Sequence, residues 1–171
     1  MNQSITNVAT VSIAVIALMF SASQLYLQRV QNHVSVEPRL NAYYTNEAKL
    51  DDEGVHIINN GLGPAYVESL DVLVDGKKVE GSRKFFEAAR LLGLDILCLS
   101  TGDPRPNDSF KTGEEILLLG VPKSKDALKC AKTRLDLLLL KSGSLEFLLT
   151  VKSIYGDRFT YQYSKNEQIS Y

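Results

Sequence analysis

The N-terminal segment of this 171-residue chain is uncharged, since the first Asp, Glu, Lys or Arg is Arg29. Residues 8–27 are mostly apolar, and a helix of about 20 residues, rising about 1.5 Å per residue, spans the hydrocarbon core of a bilayer. Only a helix satisfies every backbone polar group within one such segment. The sequence therefore predicts a tail over 1–7, a transmembrane helix over 8–28 and a juxtamembrane linker over 29–38.

Two other interpretations of this segment are weaker. A cleavable signal peptide would explain the small residues 21–23, but residues 1–7 lack the Lys or Arg that such a signal normally carries. A buried core helix would have a polar face, and this segment is apolar nearly all round. We therefore expect a retained anchor with Tyr26 at headgroup level, in which Ala17 and Ser21 are a small-residue pair that lets anchors pack as homo-oligomers.

The charges beside the anchor predict its orientation. Positively charged flanks stay in the cytoplasm. The C-terminal flank has Arg29, Arg39 and Lys49, with His33 between them, whereas the N-terminal flank has only its amine. We expect a folded domain over residues 39–171 on the cytoplasmic side of the membrane, with the lipid bilayer as one partner.

Cys98 and Cys130 bear on the same question. They form no C-x-x-C motif, and Cys98 lies in an apolar run while Cys130 lies in a predicted helix. Two small core residues are therefore the favoured interpretation. A disulfide is the alternative, and it belongs with the opposite topology because disulfides persist in oxidising compartments.

Alternating apolar residues predict strands over 40–44, 55–59 and 65–74, with a bulge at Glu68. An acidic turn is expected over 51–54. Two further turns contain the residues that favour positive φ or stop ladder bonding; they are Asn60, Gly61, Gly63 and Pro64 in the first, and Asp75 and Gly76 in the second, a type I′ hairpin. Tight turns of this kind predict an antiparallel meander.

Two helices interrupt the strands. The first is predicted over 83–92, with Ser82 as N-cap and Gly93 as the stop. The second is predicted over 125–141, with Ser124 as N-cap and an inward apolar stripe. The stripe consists of Leu128, Ala131, Leu135 and Leu138, and basic residues at 123, 125, 129, 132 and 134 make the same helix cationic. A cationic face is either solvated or lies against anionic lipid.

The chain ends in two well-marked alternating strands, over residues 145–152 and 159–163, joined at Gly156 and Asp157. About seven short strands joined by Gly-containing turns are typical of an antiparallel β-sandwich of immunoglobulin-like type. The fold class predicted is therefore mainly β: an N-terminal transmembrane helix followed by such a sandwich with two helical insertions.

Two short motifs add a resemblance. One is N-x-G-x-G-P-A, with Asn59 or Asn60 followed by Gly61, Gly63, Pro64 and Ala65; the other is S-I-Y-G-D over residues 153–157. In these motifs the chain resembles a group of uncharacterised bacterial single-pass membrane proteins. The resemblance implies a bacterial inner-membrane location and a sandwich domain, and it implies no activity. The leucine-rich stretch before Leu145 departs from the pattern of that group.

No arrangement of residues predicts a chemical activity. The formal net charge of −1 argues against a nucleic-acid binder, and the two histidines, His33 and His56, have no metal-ligand spacing around them. No G-x-S-x-G elbow is present, and the glycine-rich turn ends in Pro64 and opens no helix that could bind phosphate. His56 alternates with apolar neighbours and is expected on the polar face of its strand. We therefore predict no catalytic, cofactor-binding or metal residues.

Two functions remain as hypotheses. The first is a non-enzymatic interaction or scaffolding module on the cytoplasmic face of a bacterial inner membrane, whose edge strands add a strand from an unknown membrane or cytoplasmic protein. The alternative is a periplasmic, signal-anchored domain that binds a small ligand or an envelope component. An enzyme would need a deep pocket lined by groups such as His56, Asp71 or Asp103.

Overall fold

The computed structural model describes residues 3–45, 52–140 and 143–171. Lys49, Asp51 and Lys141, which entered the predictions above, lie outside the described residues. The chain divides into two compact units between Ser35 and Val36.

The first unit is a single helix, α1 (Gln3–Ser35), of 33 residues. Its most apolar 18-residue window has a mean hydropathy of 1.9, and none of that window is buried. A helix of this length and composition can cross a membrane, and a signal sequence meets the same criteria. α1 also runs through Arg29 to its end at Ser35, into the segment predicted as a linker.

Within its described residues, the second unit contains ten strands and two helices. The strands are β1 (Leu40–Thr45), β2 (Asp52–Asn59), β3 (Ala65–Val74), β4 (Lys77–Lys78), β5 (Ser100–Thr101), β6 (Ser109–Phe110), β7 (Glu115–Pro122), β8 (Leu145–Lys152), β9 (Arg158–Gln162) and β10 (Glu167–Ser170). The helices are α2 (Lys84–Leu91) and α3 (Ala131–Leu138). One sheet has the order β1-β2-β7-β5 and the other β10-β9-β8-β3-β4, with β6 paired to β3; every pair is antiparallel. The fold is therefore mainly β with an N-terminal helix.

The predicted meander is wrong. β2 and β3 belong to different sheets, so residues 60–64 carry the chain from one sheet to the other. Residues 52–54 are part of β2 rather than a turn. Asn-Gly and Gly-Pro signals mark a change of chain direction, but they do not distinguish a hairpin from a connection between sheets.

Alternation along the strands explains the core. Leu70, Val72 and Val74 of β3 are buried, and each faces a residue of β8 across the ladder. The ladder shifts its register between Val67 and Ser69, where the bulge at Glu68 was predicted. One apolar core takes residues from both sheets and from α2, whose Phe85 makes an edge-to-face contact with a core ring of β8.

α2 is close to its predicted position but is capped differently. The N–H group of Phe85, in its first turn, donates to Asp103 Oδ1 at 2.6 Å, and the N-cap residue makes no side-chain cap bond. Ser82 is therefore not the cap. Gly93 follows the helix with a φ of 72°, as expected for a C-terminal stop.

α3 is shorter than predicted, and its apolar stripe faces the other way. It begins at Ala131 because residues 125–130 form turns, in which Asp126 Oδ1 accepts the N–H groups of Leu128 and Lys129. The buried residues are Thr133 and Leu137. The four residues predicted to face inward, Leu128, Ala131, Leu135 and Leu138, are exposed.

The β domain has two ends. Chain entry into β1 lies opposite the end of β2, and the start of β3 lies opposite the end of β8. Loops 60–64 and 153–157 therefore meet at the end where the chain enters, which we call the connector end. The turn at Asp75 and Gly76, the end of β1 and the approach to α3 lie at the opposite end, which we call the distal end.

Candidate functional site

The loop at residues 60–64 is organised by one buried side chain, Asn59, which is 0% exposed. Its Oδ1 accepts the N–H groups of Arg39 and Gly61, at 3.1 and 3.0 Å. Its Nδ2 donates to the carbonyls of Gly63 and Phe110, at 2.8 and 3.2 Å. The side chain of Asn59 thus bonds two main-chain groups of the loop and joins the loop to the chain before β1 and to β6.

The two glycines of this loop are needed for space. A positive φ was predicted for this turn, but Asn60, Gly61 and Gly63 all have negative φ. A Cβ on Gly63 would lie 1.7 Å from the carbonyl oxygen of Val36. A Cβ on Gly61 would lie 2.4 Å from backbone atoms of the same entering segment. The connecting chain therefore packs directly on the backbone of the loop.

The neighbouring turn at residues 153–157 is built in the same way. Ser153 is 2% exposed, and its hydroxyl accepts the N–H groups of Tyr155 and Asp157 while it donates to Asp157 Oδ2 at 3.0 Å. Gly156 has a φ of 88°, in the left-handed region that favours glycine. Internal hydrogen bonds therefore fix this turn as well.

The predicted turn residues separate between the two ends. Asn60, Gly61, Gly63 and Pro64 lie at the connector end together with Gly156 and Asp157, whereas Asp75 and Gly76 form the β3–β4 hairpin at the distal end. The structure thus brings both motifs of the sequence to one end. The bonds from Asn59 and Ser153 to the backbone of these loops were not predicted from the sequence. The available signal was an Asn or Ser at the end of an apolar strand, where a side chain can bond the following turn.

The distal end contains a pocket of about 440 Å³ whose lining is partly apolar and partly polar. It lies between β1, α3 and the residues after β9. Most of its described lining residues are Leu, Val and Tyr. The lining residues are Ala42, Tyr43, Tyr44, Val55, Leu137, Leu138, Leu140, Gly143, Leu145, Tyr163 and Ser164. Concave sites of this size are typical of small-ligand or side-chain binding.

One polar group in the wall of the pocket has no partner. The Tyr44 hydroxyl is buried and makes no hydrogen bond to any described residue. Burial, reinforced by the negative charge of Glu53, raises the pKa of Tyr44 to about 12. The hydroxyl therefore stays protonated at neutral pH and can donate one hydrogen bond and accept another. Glu53 itself pairs with Arg134 of α3 at 2.5 Å and so ties that helix to β2.

Cys98 and Cys130 form a disulfide, with 5.5 Å between their Cα atoms. The interpretation of two separate thiols in the core is therefore wrong. The bridge links the segment after α2 to the residue just before α3, so it joins the two helical insertions. Both cysteines are buried. This constraint fixes the first turn of α3 and, with Leu137, decides which side of that helix faces the core.

His56 is buried rather than on an exposed polar face. Its ring stacks on Tyr43, with 5.7 Å between the centroids, and its Nδ1 lies 2.7 Å from Glu115. Nε2 lies 3.2 Å from the Asp52 carbonyl oxygen, so both ring nitrogens face acceptors. Burial and the hydrogen bond to Glu115 raise the pKa of Tyr43 to about 12. These contacts hold three strands together and leave no ring nitrogen for a substrate.

Asp71 and Asp103 line a different cavity, of about 360 Å³. Hydrogen bonds from Lys78, at 2.8 Å, and from Lys84 lower the pKa of Asp71, whereas burial raises that of Asp103. Asp103 caps α2, and Asp71 anchors two lysines, so each carboxylate has a structural partner. His56 is not among the described lining of this cavity, and the three groups named for an enzyme are not brought together.

Within the part of the chain that the structure describes, no cluster of three or more His, Cys, Asp or Glu residues could hold a metal ion. No family model matches the sequence, and no curated protein or solved structure is significantly similar to it. The geometry of the β domain is therefore the basis for assigning its function.

Proposed function

We propose that the protein is a membrane-tethered, non-enzymatic binding module whose β domain lies on the oxidising side of the membrane and binds its partner at the distal pocket. The observation that carries the proposal is this pocket with its unpartnered Tyr44 hydroxyl. A buried hydroxyl without a partner costs free energy. A ligand that supplies the missing hydrogen bond recovers that cost.

The ligand chemistry follows from the lining. An apolar group of the partner would pack on Leu137, Leu138 and Leu145, and one polar atom would bond to the Tyr44 hydroxyl. The pocket fits a small amphipathic molecule or the side chain of an envelope component. It does not require a charged group, because none of its described lining residues is charged.

The edge strand beside the pocket does not favour strand addition. The outward N–H groups of β1 are occupied at Leu40, by Gln168 Oε1 at 2.9 Å, and at Ala42, by the Tyr161 hydroxyl at 2.9 Å. Side chains that occupy an edge in this way protect it from pairing. This arrangement favours binding in the pocket over the β-augmentation expected from the sequence.

The side of the membrane is assigned from the disulfide. Disulfides persist in secreted and periplasmic domains and are rare in the cytoplasm. The Cys98–Cys130 bridge therefore supports the periplasmic alternative over the cytoplasmic face that the flanking charges predicted. Three flanking charges are a small bias, and a buried bridge is the stronger indicator.

We also infer an immunoglobulin-like topology for the β domain. In the lettering of immunoglobulin domains, the sheet β1-β2-β7-β5 corresponds to strands A-B-E-D. The run β9-β8-β3 of the other sheet corresponds to strands G-F-C. This is the strand order of immunoglobulin constant-type sheets, with β4 added beside C. The bridge between the two insertions differs from the B–F disulfide of antibody domains.

Retention of α1 and its self-association are part of the proposal. The Ser21 hydroxyl donates to the Ala17 carbonyl at 2.9 Å, so this small-residue pair presents no free donor to lipid. We expect α1 helices to pack through these two residues as homo-oligomers in a bacterial inner membrane.

Labelling in intact cells tests the side of the membrane. A cysteine introduced by Leu128→Cys is suitable because Leu128 is 90% exposed. We expect a membrane-impermeant maleimide to label it without lysis. Labelling only after lysis would place the domain in the cytoplasm and contradict the proposal. The unmodified chain, with both cysteines bridged, is the control.

Crosslinking tests the pocket. A photo-reactive residue in place of Leu138, which lines the pocket, should give a specific adduct in cells, and the additional change Tyr44→Phe should weaken it. The same residue in place of Leu91, which is 65% exposed on α2, is the matched control. Equal adducts at both positions would remove the distal pocket as the binding site.

A further inference from the structure

We infer that the connector end of the β domain is a second membrane contact, with Leu62 and Ile154 placed at the boundary between lipid headgroups and acyl chains. This inference rests on the proposed retention of α1 as an anchor. It assigns a role to both loop motifs that the binding function does not use.

The two loops present apolar side chains at their tips. Leu62 is 76% exposed and Ile154 is 60% exposed, and the neighbouring Tyr155 is 50% exposed. These residues emerge at the same end, because Tyr66 at the start of β3 pairs with Lys152 at the end of β8. Apolar and aromatic side chains in this position match the composition of membrane interfaces.

The backbone of these loops suits an environment with little water. Unsatisfied N–H and C=O groups are costly near lipid. In the first loop, Asn59 bonds the Gly61 N–H and the Gly63 carbonyl, and in the second loop Ser153 accepts two N–H groups. A loop that bonds part of its polar backbone internally and has an apolar tip loses fewer hydrogen bonds to water when it enters the interface.

The length of α1 puts the start of the β domain at the membrane surface. A helix of 33 residues is about 50 Å long, and a bilayer with its headgroups is about 40–45 Å thick. The chain enters the β domain directly after α1, at the connector end. Arg39 and Lys152 are exposed at this end and suit anionic headgroups, and the half-buried Glu37 and Asp157 lie at the same end.

The exposed leucines of α3 are the competing surface. They also lie among lysines, but they belong to the distal end, away from chain entry. The two surfaces can be compared directly, because the chain contains no Trp and a single introduced Trp reports only its own position.

Depth-dependent quenching tests the inference on the full chain, reconstituted in vesicles of phosphatidylcholine and phosphatidylglycerol with brominated acyl chains. Three exposed positions are compared, as Phe20→Trp in α1, Leu62→Trp at the connector end and Leu128→Trp near α3. We expect a loss of fluorescence and a blue shift for the first two and an unchanged spectrum for the third. Ile154→Trp is a second reporter for the connector end, in case Leu62→Trp does not fold.

The outcomes are distinguishable. Quenching at position 20 without quenching at 62 and 154 would overturn the inference and leave the anchored binding module intact. Quenching at 128 in place of 62 would assign the membrane contact to α3 and overturn it too. No quenching at position 20 would overturn the proposed anchor and, with it, this inference.

Discussion

The connector end and the distal end of the β domain differ in how their buried polar groups are hydrogen-bonded. At the connector end, Asn59 and Ser153 bond the backbone of the loops, and Gly63 lets two backbone segments touch. At the distal end, Tyr44 has an unpartnered hydroxyl in the wall of a cavity, and apolar side chains of α3 are exposed. Buried polar side chains are hydrogen-bonded at the first end, whereas at the second end the Tyr44 hydroxyl has no partner among the described residues.

The largest expected effect is that of Gly63→Ala. The new Cβ would meet the Val36 backbone, which cannot move like a side chain, so we expect a loss of about 3–5 kcal/mol in the free energy of unfolding. Gly76→Ala at the distal end is the control. Its Cβ meets nothing within 4 Å, and only its positive φ of 77° costs energy, about 1 kcal/mol. Equal losses in thermal unfolding would remove the distinction between the two glycines.

Asn59→Ala should follow in size. It removes all the side-chain bonds of the first loop and leaves buried groups such as the Gly61 N–H without partners, for a loss of about 3 kcal/mol. Asn60→Ala is the matched control, because Asn60 is exposed and bonds to Arg39 through its backbone. A denaturant midpoint that shifts equally in both variants would contradict the role of Asn59.

Reduction of the disulfide tests the distal end. The bridge closes a loop with a sequence separation of 32 residues, and such a constraint contributes about 3 kcal/mol. We expect the melting temperature to fall in reductant, and in Cys98→Ser with Cys130→Ser. The loss should be accompanied by weaker crosslinking at the pocket, because α3 carries part of its wall. A melting temperature that reductant leaves unchanged would be incompatible with this bridge.

Tyr44→Phe should have a smaller effect, of opposite sign. Removing a buried hydroxyl that has no partner should raise the free energy of unfolding by about 1 kcal/mol, while it weakens ligand binding. Tyr43→Phe is the control, because Glu115 accepts the hydrogen bond of that hydroxyl. A destabilised Tyr44→Phe would show that its hydroxyl has a partner in the free protein.

A further effect of Tyr44 is expected at alkaline pH. The pKa of Tyr44 is raised from 10.0 to about 12, so the folded state retains a proton that the unfolded state has lost between these values. Stability is therefore complete below pH 10 and falls as pH rises toward 12. The fall should be shallower in Tyr44→Phe, as measured by denaturant unfolding at several pH values. An identical slope in the two proteins would contradict the raised pKa.

Local patterns predicted much of the fold. β3 was predicted at its observed bounds, and the alternation of Leu70, Val72 and Val74 identified its buried face, because a strand with one buried face records that face in its sequence. The pairing of the strands was not predictable in the same way. The loop at 60–64 contains the residues of a hairpin turn, yet it joins two sheets, because Gly61 and Gly63 serve a contact with a distant segment.

The distal site depended on tertiary contacts. The spacing of Leu128, Leu135 and Leu138 identified an apolar stripe but not the side on which the core lies. A disulfide, the Glu53–Arg134 ion pair and Leu137 turn α3 so that this stripe faces outward. Each of these contacts joins residues far apart in the chain, so no local period encodes them. The pocket beside Tyr44 follows from the same arrangement.

The state of Cys98 and Cys130 in living cells tests the central claim most directly. Cells that express the full chain are lysed into a mass-tagging maleimide under denaturing conditions, with and without prior reduction. We predict no tag before reduction and two tags after it, as expected for a bridged domain on the oxidising side of a membrane. Two tags before reduction would contradict the bridge in cells and place the domain in the cytoplasm.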